Sequence, residues 1–448
     1  MAVRRASVVF LVLYALLIAL TIAVYSAGLK IPMYLTPLIT LVGFIFGLLH
    51  ASQREGWTNT LRLLALVFGV SLLFESVGVA TGWIYGPYHY TDKLGPLFLG
   101  LVPYLIPVAW FSFLVGHVHF LLARPGVYVG TLFYLLTRPH PSLRDRLMTV
   151  LHFLEGVYAA HLLRGQEVDH LHAHFADRAA TVTLVASRML RIPYSLAIHA
   201  GGDIYVHPVL LPAKVAEARF IISCTRYNVD YLKQQGIPGL DKALVIHHGL
   251  DFEHYPAAIQ QPTPILLAVG QLVEKKGFEY LIRACQQLRD EGREFVCRLI
   301  GPGPEGPRLQ ALVDQLDLHD RVTLCGAMPH DDVIAEYGQA TVFVLPCIRG
   351  KDGDLDGIPN VLLEAMAARV PVVSTPVSAI PELVQDEVNG LLVPPNDHQA
   401  LAVTLARLLD DAPLRKHLGD EGWRTVVEHF DLERNVRAVY DVFTRQAG

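Results

Sequence analysis

From residue 169 onward, short apolar runs alternate with segments of helical period, and this alternation limits the possible folds more than any other feature of the chain. A helix between two strands leaves no room for a hairpin, so successive strands must run parallel in one sheet. HLHAHF, YSLAIHA, RFIISC and ALVIHHG make a first set, between His170 and Gly249. A stretch over 249–264 holding Pro256, Pro262 and Pro264 then interrupts the pattern. A second set follows, with strands ILLAVGQ, CRLIGPG, VTLCGA, VFVLPC and PVVST, each leading into a helix. The sequence therefore predicts two α/β units, 117–256 and 257–448. The first has only four candidate strands, fewer than a full dinucleotide-binding-type sheet carries. A last helix is predicted over 432–445, placed to pack back across the first unit.

Residues 1–116 read differently. The chain is 52% hydrophobic and its mean hydropathy is +0.36, an excess concentrated in four apolar runs at 8–25, 31–49, 61–80 and 95–114. Each approaches the roughly 20 residues that cross a bilayer, so four transmembrane helices are predicted. Arg4 and Arg5 before the first run also fit a secretory leader, but three further runs argue against a removable one. Arg4, Arg5, Arg54, Arg62 and Arg124 flank one side and only Lys30 and Lys93 the other, which puts both ends in the cytoplasm. The basic, proline-containing stretch around Arg124, Pro125, Arg138, Pro139 and Pro141 reads as a membrane exit, and 144–163 as an amphipathic helix. A net charge of -5 without a basic face excludes nucleic acid as a partner. The five cysteines show no paired spacing and read as reduced core residues.

The chemistry concentrates in residues 352–367, Asp-Gly-Asp-Leu-Asp-Gly-Ile-Pro-Asn-Val-Leu-Leu-Glu-Ala-Met-Ala. Gly357 lets backbone approach a ligand, Pro359 presets the first helical turn, and the amides at that helix start favour an anion such as a diphosphate. Asp356 and Glu364 bracket the turn. On these residues the chain resembles the family-4 glycosyltransferases, whose second domain carries an acid, seven residues and a Glu followed by Ala-Met-Ala. The family's first acid is usually Glu, and here it is Asp356. The element from Gly270 and Gln271 to Lys276 and Gly277 is similar to the family's Gly-Arg…Lys-Gly, with Gln271 in place of the Arg and Lys276 kept. Gly301-Pro-Gly303 matches a family Gly-x-Gly near the nucleotide, and His199 follows a strand end where a family His touches the sugar.

The resemblance implies the fold called GT-B, two Rossmann-like domains, the first truncated and preceded here by about four transmembrane helices. It also implies a retaining hexose transfer from a nucleotide-diphosphate sugar, with no cofactor besides that donor substrate. His199, Asp356 and Glu364 would act at the reacting sugar and its ribose. Gly270, Gln271, Lys276, Gly301, Gly303, Gly357 and Asn360 would hold the donor.

No metal is expected. Asp352, Asp354 and Asp356 imitate the start of a calcium loop, but its twelfth position is Leu363 rather than a bidentate Glu. His170, His172 and His174 alternate along one strand without an acid or Cys to complete a set, and read as core or edge residues. Glu75 lies inside an apolar run and is followed by Gly82-Trp-Ile-Tyr-Gly-Pro-Tyr-His-Tyr-Thr and Leu94-Gly-Pro. This part resembles the carotenoid hydratase-like membrane proteins, which add water to polyene ends. Two resemblances together imply a transferase anchored in the inner membrane, with a lipid or carotenoid-like acceptor. Two alternatives stay open: a hydratase using Glu75 as proton donor, and a fusion that binds donor without turnover.

Overall fold

A computed structural model describes residues 35–81, 97–98, 102–103, 105–201, 204–259 and 261–446, with scattered helical positions among 6–17. The chain falls into two compact units, one formed by residues 1–137, 150–166 and 188–190, the other by the remainder.

In the first unit, helix α1 (Leu35–Thr81) carries the second and third apolar runs on two limbs. Gly56, at φ 76°, breaks the helical geometry between them. The fourth run, expected as one helix over 95–114, becomes a short antiparallel pair, β1 (Leu97–Phe98) with β2 (Val102–Pro103), before helix α2 (Leu105–Ala123). Pro96, Gly100 and Pro103 oppose helix ahead of Leu105. The stretch read as a membrane exit begins in a helix, α3 (Pro125–Leu136), with Pro125 in its first turn. The segments Leu114–Ala123 and Pro125–Leu136 bend by 111° at Arg124, whose guanidinium donates to Met189 O at 2.9 Å. Ala51, Val67 and Val115 are buried between α1 and α2. Phe153, at no measurable exposure, meets Tyr128 edge-on with ring centres 5.0 Å apart. Among the described residues no single helix is long and apolar enough to cross a membrane, and one bent pair, Leu114–Ala123 with Pro125–Leu136, meets that test together. Most of the first predicted span and the aromatic segment at 82–91 lie outside the described residues.

Helix α4 (Leu143–Leu163) matches the predicted amphipathic helix. Its start is fixed by a reciprocal cap: Ser142 Oγ accepts from Asp145 N at 3.1 Å and donates to Asp145 Oδ2 at 2.7 Å.

The second unit holds two parallel sheets. The first has the order β3 (Leu171–His174), β4 (Tyr194–Ile198), β5 (Ile221–Ser223), β6 (Ala243–Val245), with helices α5 (Arg178–Leu190), α6 (Leu211–Glu217) and α7 (Arg226–Gln234) between them. Every residue of β4 and β5 is buried, which explains their uninterrupted apolar sequence.

The second sheet comprises β7 (Ile265–Val269), β8 (Val296–Ile300), β9 (Val322–Gly326), β10 (Val342–Val344), β11 (Val372–Ser374) and β12 (Leu391–Leu392). Its helices are α8 (Phe278–Asp290), α9 (Gly306–Gln315), α10 (His330–Tyr337), α11 (Asn360–Ala367), α12 (His398–Asp410) and α13 (Ala412–His429). The spatial order is β12-β11-β10-β7-β8-β9, all parallel. Chain direction across this sheet reverses between β7 and β10, so a crevice opens at their carboxyl ends. The final helix α14 (Leu432–Gln446) returns to the first sheet, where Phe443 lies edge-on to His172 (5.0 Å), Phe220 (5.4 Å) and His170 (5.8 Å).

Candidate functional site

The loops after β7 and β10 meet at the reversal point, and most of the candidate chemistry sits on them. The β7 loop ends in a single tight turn, Glu274–Lys276, followed by Gly277 at φ 68°. A Cβ on Gly277 would collide with Pro346 O, so only glycine lets the two loops lie this close. Ile348 N donates to Lys275 O at 2.9 Å across the junction. Three consecutive side chains of the β7 loop then pair with the β10 loop. Glu274 meets Lys351 at 3.0 Å, Lys275 meets Asp354 at 2.8 Å and Asp356 at 3.1 Å, and Lys276 meets Asp356 at 2.6 Å.

Burial alone would raise the Asp356 carboxyl, but the Lys276 and Lys275 ammonium groups outweigh it and hold the group below the usual carboxylate range. Asp356 is therefore an anion at neutral pH, gripped by two cations. Beside it, the buried Cys347 thiol is pushed up to about 12 by burial and by the Asp356 charge, and stays protonated.

A cavity of about 350 Å³ opens at this point, lined among others by His199, Lys276, Asp356, Gly357, Asn360 and Phe430. Five of the ten sequence-predicted residues thus share one space. Glu364 lies one turn beyond Asn360 on α11, where its Oε2 accepts from the fully buried Tyr337 hydroxyl at 2.8 Å. Burial, and then the Glu364 charge, push the Tyr337 phenol well above its ordinary range, so it remains a donor.

Gly270, Gln271, Gly301 and Gly303 are placed differently. Leu272 N donates to Pro302 O at 2.8 Å and Gly270 N to Ile300 O at 2.9 Å, and a Cβ on Gly301 would collide with Gly270 O. The glycines at 301 and 303 thus let the loops after β7 and β8 pass in contact, and none of these four lines the cavity. Gln271 is exposed on the same loop.

On the opposite wall, His199 follows β4. Its Nδ1 is 3.1 Å from His248 Nε2, and its Nε2 is 3.4 Å from His174 Nδ1. Burial first, and the His248 and His174 rings second, lower the His199 pKa to about 4, and burial first lowers that of His248 as well. Both rings are neutral at pH 7. Cys224, after β5, donates its Sγ–H to His199 O at 3.5 Å. Glu382 joins the two halves of this unit, accepting from Arg226 N at 2.9 Å and Tyr227 N at 2.6 Å at the start of α7.

Asp354 was weighed from sequence only as part of a calcium-loop imitation, and Lys275, Cys224 and His248 were not read as site residues. The signal for the last two was present in the parallel order: residues just past the ends of adjacent strands share one edge, and Cys224 and His248 each follow such an end.

Residues 251–424 match the family described as glycosyl transferases group 1, and residues 35–132 match the family described as carotenoid biosynthesis protein. The chain carries a group 1 glycosyltransferase domain. Ahead of that domain runs the carotenoid-biosynthesis match, so the fusion read from sequence is present. The putative colanic acid biosynthesis glycosyltransferase WcaL of Escherichia coli K12 is 44% identical over 178 residues, covering 39% of this chain and 44% of that protein. The amylovoran biosynthesis glycosyltransferase AmsK of Erwinia amylovora is 37% identical over 245 residues, covering 52% and 60%. The chain therefore spans about half the length of the curated relatives it matches.

Among solved structures, sucrose-phosphate synthase from Thermosynechococcus elongatus superposes with a TM-score of 0.59 at 22% identity, over 66% of this chain and 78% of that one. Anabaena Alr3699/HepE in complex with UDP gives 0.56 at 18% identity, over 65% and 82%. These likenesses establish a GT-B-like α/β fold with parallel sheets around the group 1 domain.

Proposed function

We propose that the chain is a membrane-anchored, retaining glycosyltransferase that moves a hexose from a nucleotide-diphosphate sugar to a hydroxyl of a lipidic acceptor. The observation that carries this reading is the Lys276–Asp356 pair at 2.6 Å, set at the sheet reversal beside the start of α11 and facing the cavity. An acid and a cation at that edge suit a sugar joined to a diphosphate, because the cation takes the leaving phosphates and the acid orients sugar hydroxyls.

In this reading 257–448 binds donor, 117–256 supplies a shortened acceptor half, and 1–116 is the membrane part with about four spans. HepE was solved in complex with UDP, which supports a nucleotide-linked donor. Glu364 takes the ribose hydroxyls, Asp356 and His199 the sugar, and Lys276 with the amides around Gly357 and Asn360 the diphosphate. Gly270, Gln271, Gly301 and Gly303 shape the loops beneath it. The bond from the anomeric carbon to the diphosphate oxygen breaks as the acceptor oxygen bonds to that carbon on the same face. The acceptor's proton passes to the departing diphosphate, and Lys276 stabilises the charge that develops. Donor binding calls for no cofactor and no metal.

Two features support the membrane anchor. Leu122, Val129 and Phe133 stand 75%, 55% and 69% exposed on the bent helix pair, more apolar surface than water favours. The carotenoid-biosynthesis match over 35–132 supports a polyene or other lipid hydroxyl as acceptor, with transfer on the cytoplasmic side of the inner membrane. The same match keeps a second reading in view, hydration of a polyene by the membrane part. The test is to incubate membranes carrying the full chain with radiolabelled nucleotide sugars. Label entering the organic phase, and lost in Lys276→Met, supports transfer. Water addition to a polyene that survives deletion of 117–448 supports hydration instead.

A further inference from the structure

We propose that Phe175 selects the acceptor: its ring, held in the cavity by a turn that buried Lys214 grips, is the platform for the apolar chain next to the acceptor hydroxyl. The acceptor itself comes from the transferase reading above, on which this assignment rests. That reading gives the acceptor's carbon skeleton no residue of its own.

Phe175 is the first residue past β3, and its backbone is left-handed at φ 69°. A bulky residue takes that conformation only where its surroundings compel it, and such strain gathers at binding sites. Glycine would adopt it freely, so what this position keeps at a cost is the phenyl ring. Two sets of bonds hold the backbone on either side. Phe175 N donates to Ala197 O at 3.0 Å, the last rung between β3 and β4. From α6, the Lys214 ammonium donates to Ala176 O at 2.8 Å and to Asp177 O at 2.7 Å. Lys214 is buried, and its own carbonyl accepts from the buried Tyr194 hydroxyl at 2.7 Å. Asp177 in turn caps α5, its Oδ1 accepting from Ala179 N at 3.0 Å. An ammonium withdrawn from water is costly to keep, and this one fixes the turn that presents Phe175.

The ring is 48% exposed, whereas every residue of the neighbouring strand β4 is buried. It lines the same cavity as Lys276 and Asp356, with its centre 4.5 Å from that of the His199 ring. His199 lies against the transferred sugar in the reading above, so a group resting on Phe175 sits directly beside that sugar. The hydroxyl-bearing end of an acceptor must come to that place. A phenyl ring offers no hydrogen bond, only apolar area and a π face. Ile358, Leu363 and Phe430 add further apolar lining. The surface therefore favours a hydrocarbon or flat unsaturated chain over a polar one.

The experiment measures hexose transfer by the full chain in detergent, with a linear polyenol and with methyl glucoside as acceptors, beside nucleotide binding by calorimetry. Phe175→Ala should raise KM for the polyenol roughly tenfold and leave nucleotide affinity unchanged. Phe175→Trp, which keeps an aromatic face, should hold KM within about threefold. Lys214→Met should raise the same KM and, combined with Phe175→Ala, add nothing further, because both act through one ring. A lysine that merely stabilised the fold would lower the melting temperature without moving KM. If Lys214→Met does not fold, the two Phe175 variants carry the test. An unchanged polyenol KM in Phe175→Ala, or a loss confined to methyl glucoside, overturns the assignment and leaves transfer standing. If the natural chain transfers no hexose, the transferase reading falls and the ring is tested by contact alone. Phe175→Trp then adds emission that a brominated long-chain alcohol should quench, and added emission that the alcohol does not quench overturns the platform.

Discussion

Replacing Lys276 by Met isolates the cation on which the donor site depends. The substitution keeps the length and apolar stem of a side chain that is 13% exposed but removes its ammonium, 2.6 Å from Asp356. In so shielded a position one charge-assisted hydrogen bond to a phosphate is worth about 1.5–3 kcal/mol. At about 1.4 kcal/mol per factor of ten, donor affinity should fall by about ten- to one-hundred-fold. The loss is bounded because Lys275 stays 3.1 Å from Asp356 and continues to supply positive charge. Calorimetry on the full chain in detergent, with UDP, GDP and ADP in turn, identifies the nucleotide and then measures the variant against it. The same change tests the account of Asp356. Its depressed pKa adds stability that is present above the unfolded value of 3.8 and is lost as pH falls through the folded one. Lys276→Met should shrink that acid-side loss. An unchanged affinity for the nucleotide that binds the natural chain would refute the placement of the diphosphate at Lys276.

Glu364→Gln should weaken nucleotide binding while leaving thermal stability nearly unchanged, because the amide oxygen still accepts from Tyr337 but cannot take two ribose hydroxyls as strongly; calorimetry beside a melting curve separates the two effects. Gly277→Ala forces a side chain into φ 68° and into Pro346 O, and should cost about 1–3 kcal/mol of stability in chemical denaturation. Burial first, and the neighbouring histidine rings second, lower His172 as well as His199 to about 4 from 6.5, so both are neutral in folded and unfolded chain alike well above pH 6.5. Between pH 6.5 and 4 the unfolded chain takes up protons that the folded one refuses, so stability measured by urea unfolding should drop across that window. A flat profile would mean that these rings are not buried as described.

The βα rhythm was legible because most of the strands, such as Tyr194–Ile198, Ile265–Val269 and Val342–Val344, are short apolar runs set between helical segments. Strand β12 was not, since Leu391–Leu392 has too few residues to show any period. The Lys276 and Asp356 ends of the donor site could be read because each lies in a local motif with its own spacing. Their pairing could not, because it depends on β7 and β10 being neighbours, with partners such as Leu266 and Val342 far apart in the chain. Cys224 and His248 were hidden for the same reason: neither stands out alone, and only the order β4-β5-β6 brings them beside His199. In the N-terminal part, apolar length was a poor guide to helix limits. The described parts of the runs at 31–49 and 61–80 fall on one helix bent at Gly56, and in the run at 95–114 the helix begins only at Leu105, past Pro103. Hydropathy sums over residues and is blind to where a backbone amide is missing.

The central claim is same-face hexose transfer at the Lys276–Asp356 edge, and the anomeric configuration of the product tests it most directly. The full chain in native membranes would be given its nucleotide sugar and a hydroxylated polyene, and the glycoside extracted for proton NMR. A glycoside with the donor's anomeric configuration, formed by the natural chain and not by Lys276→Met, is the predicted result. An inverted product, sugar released only to water, or undiminished product from Lys276→Met would contradict the account.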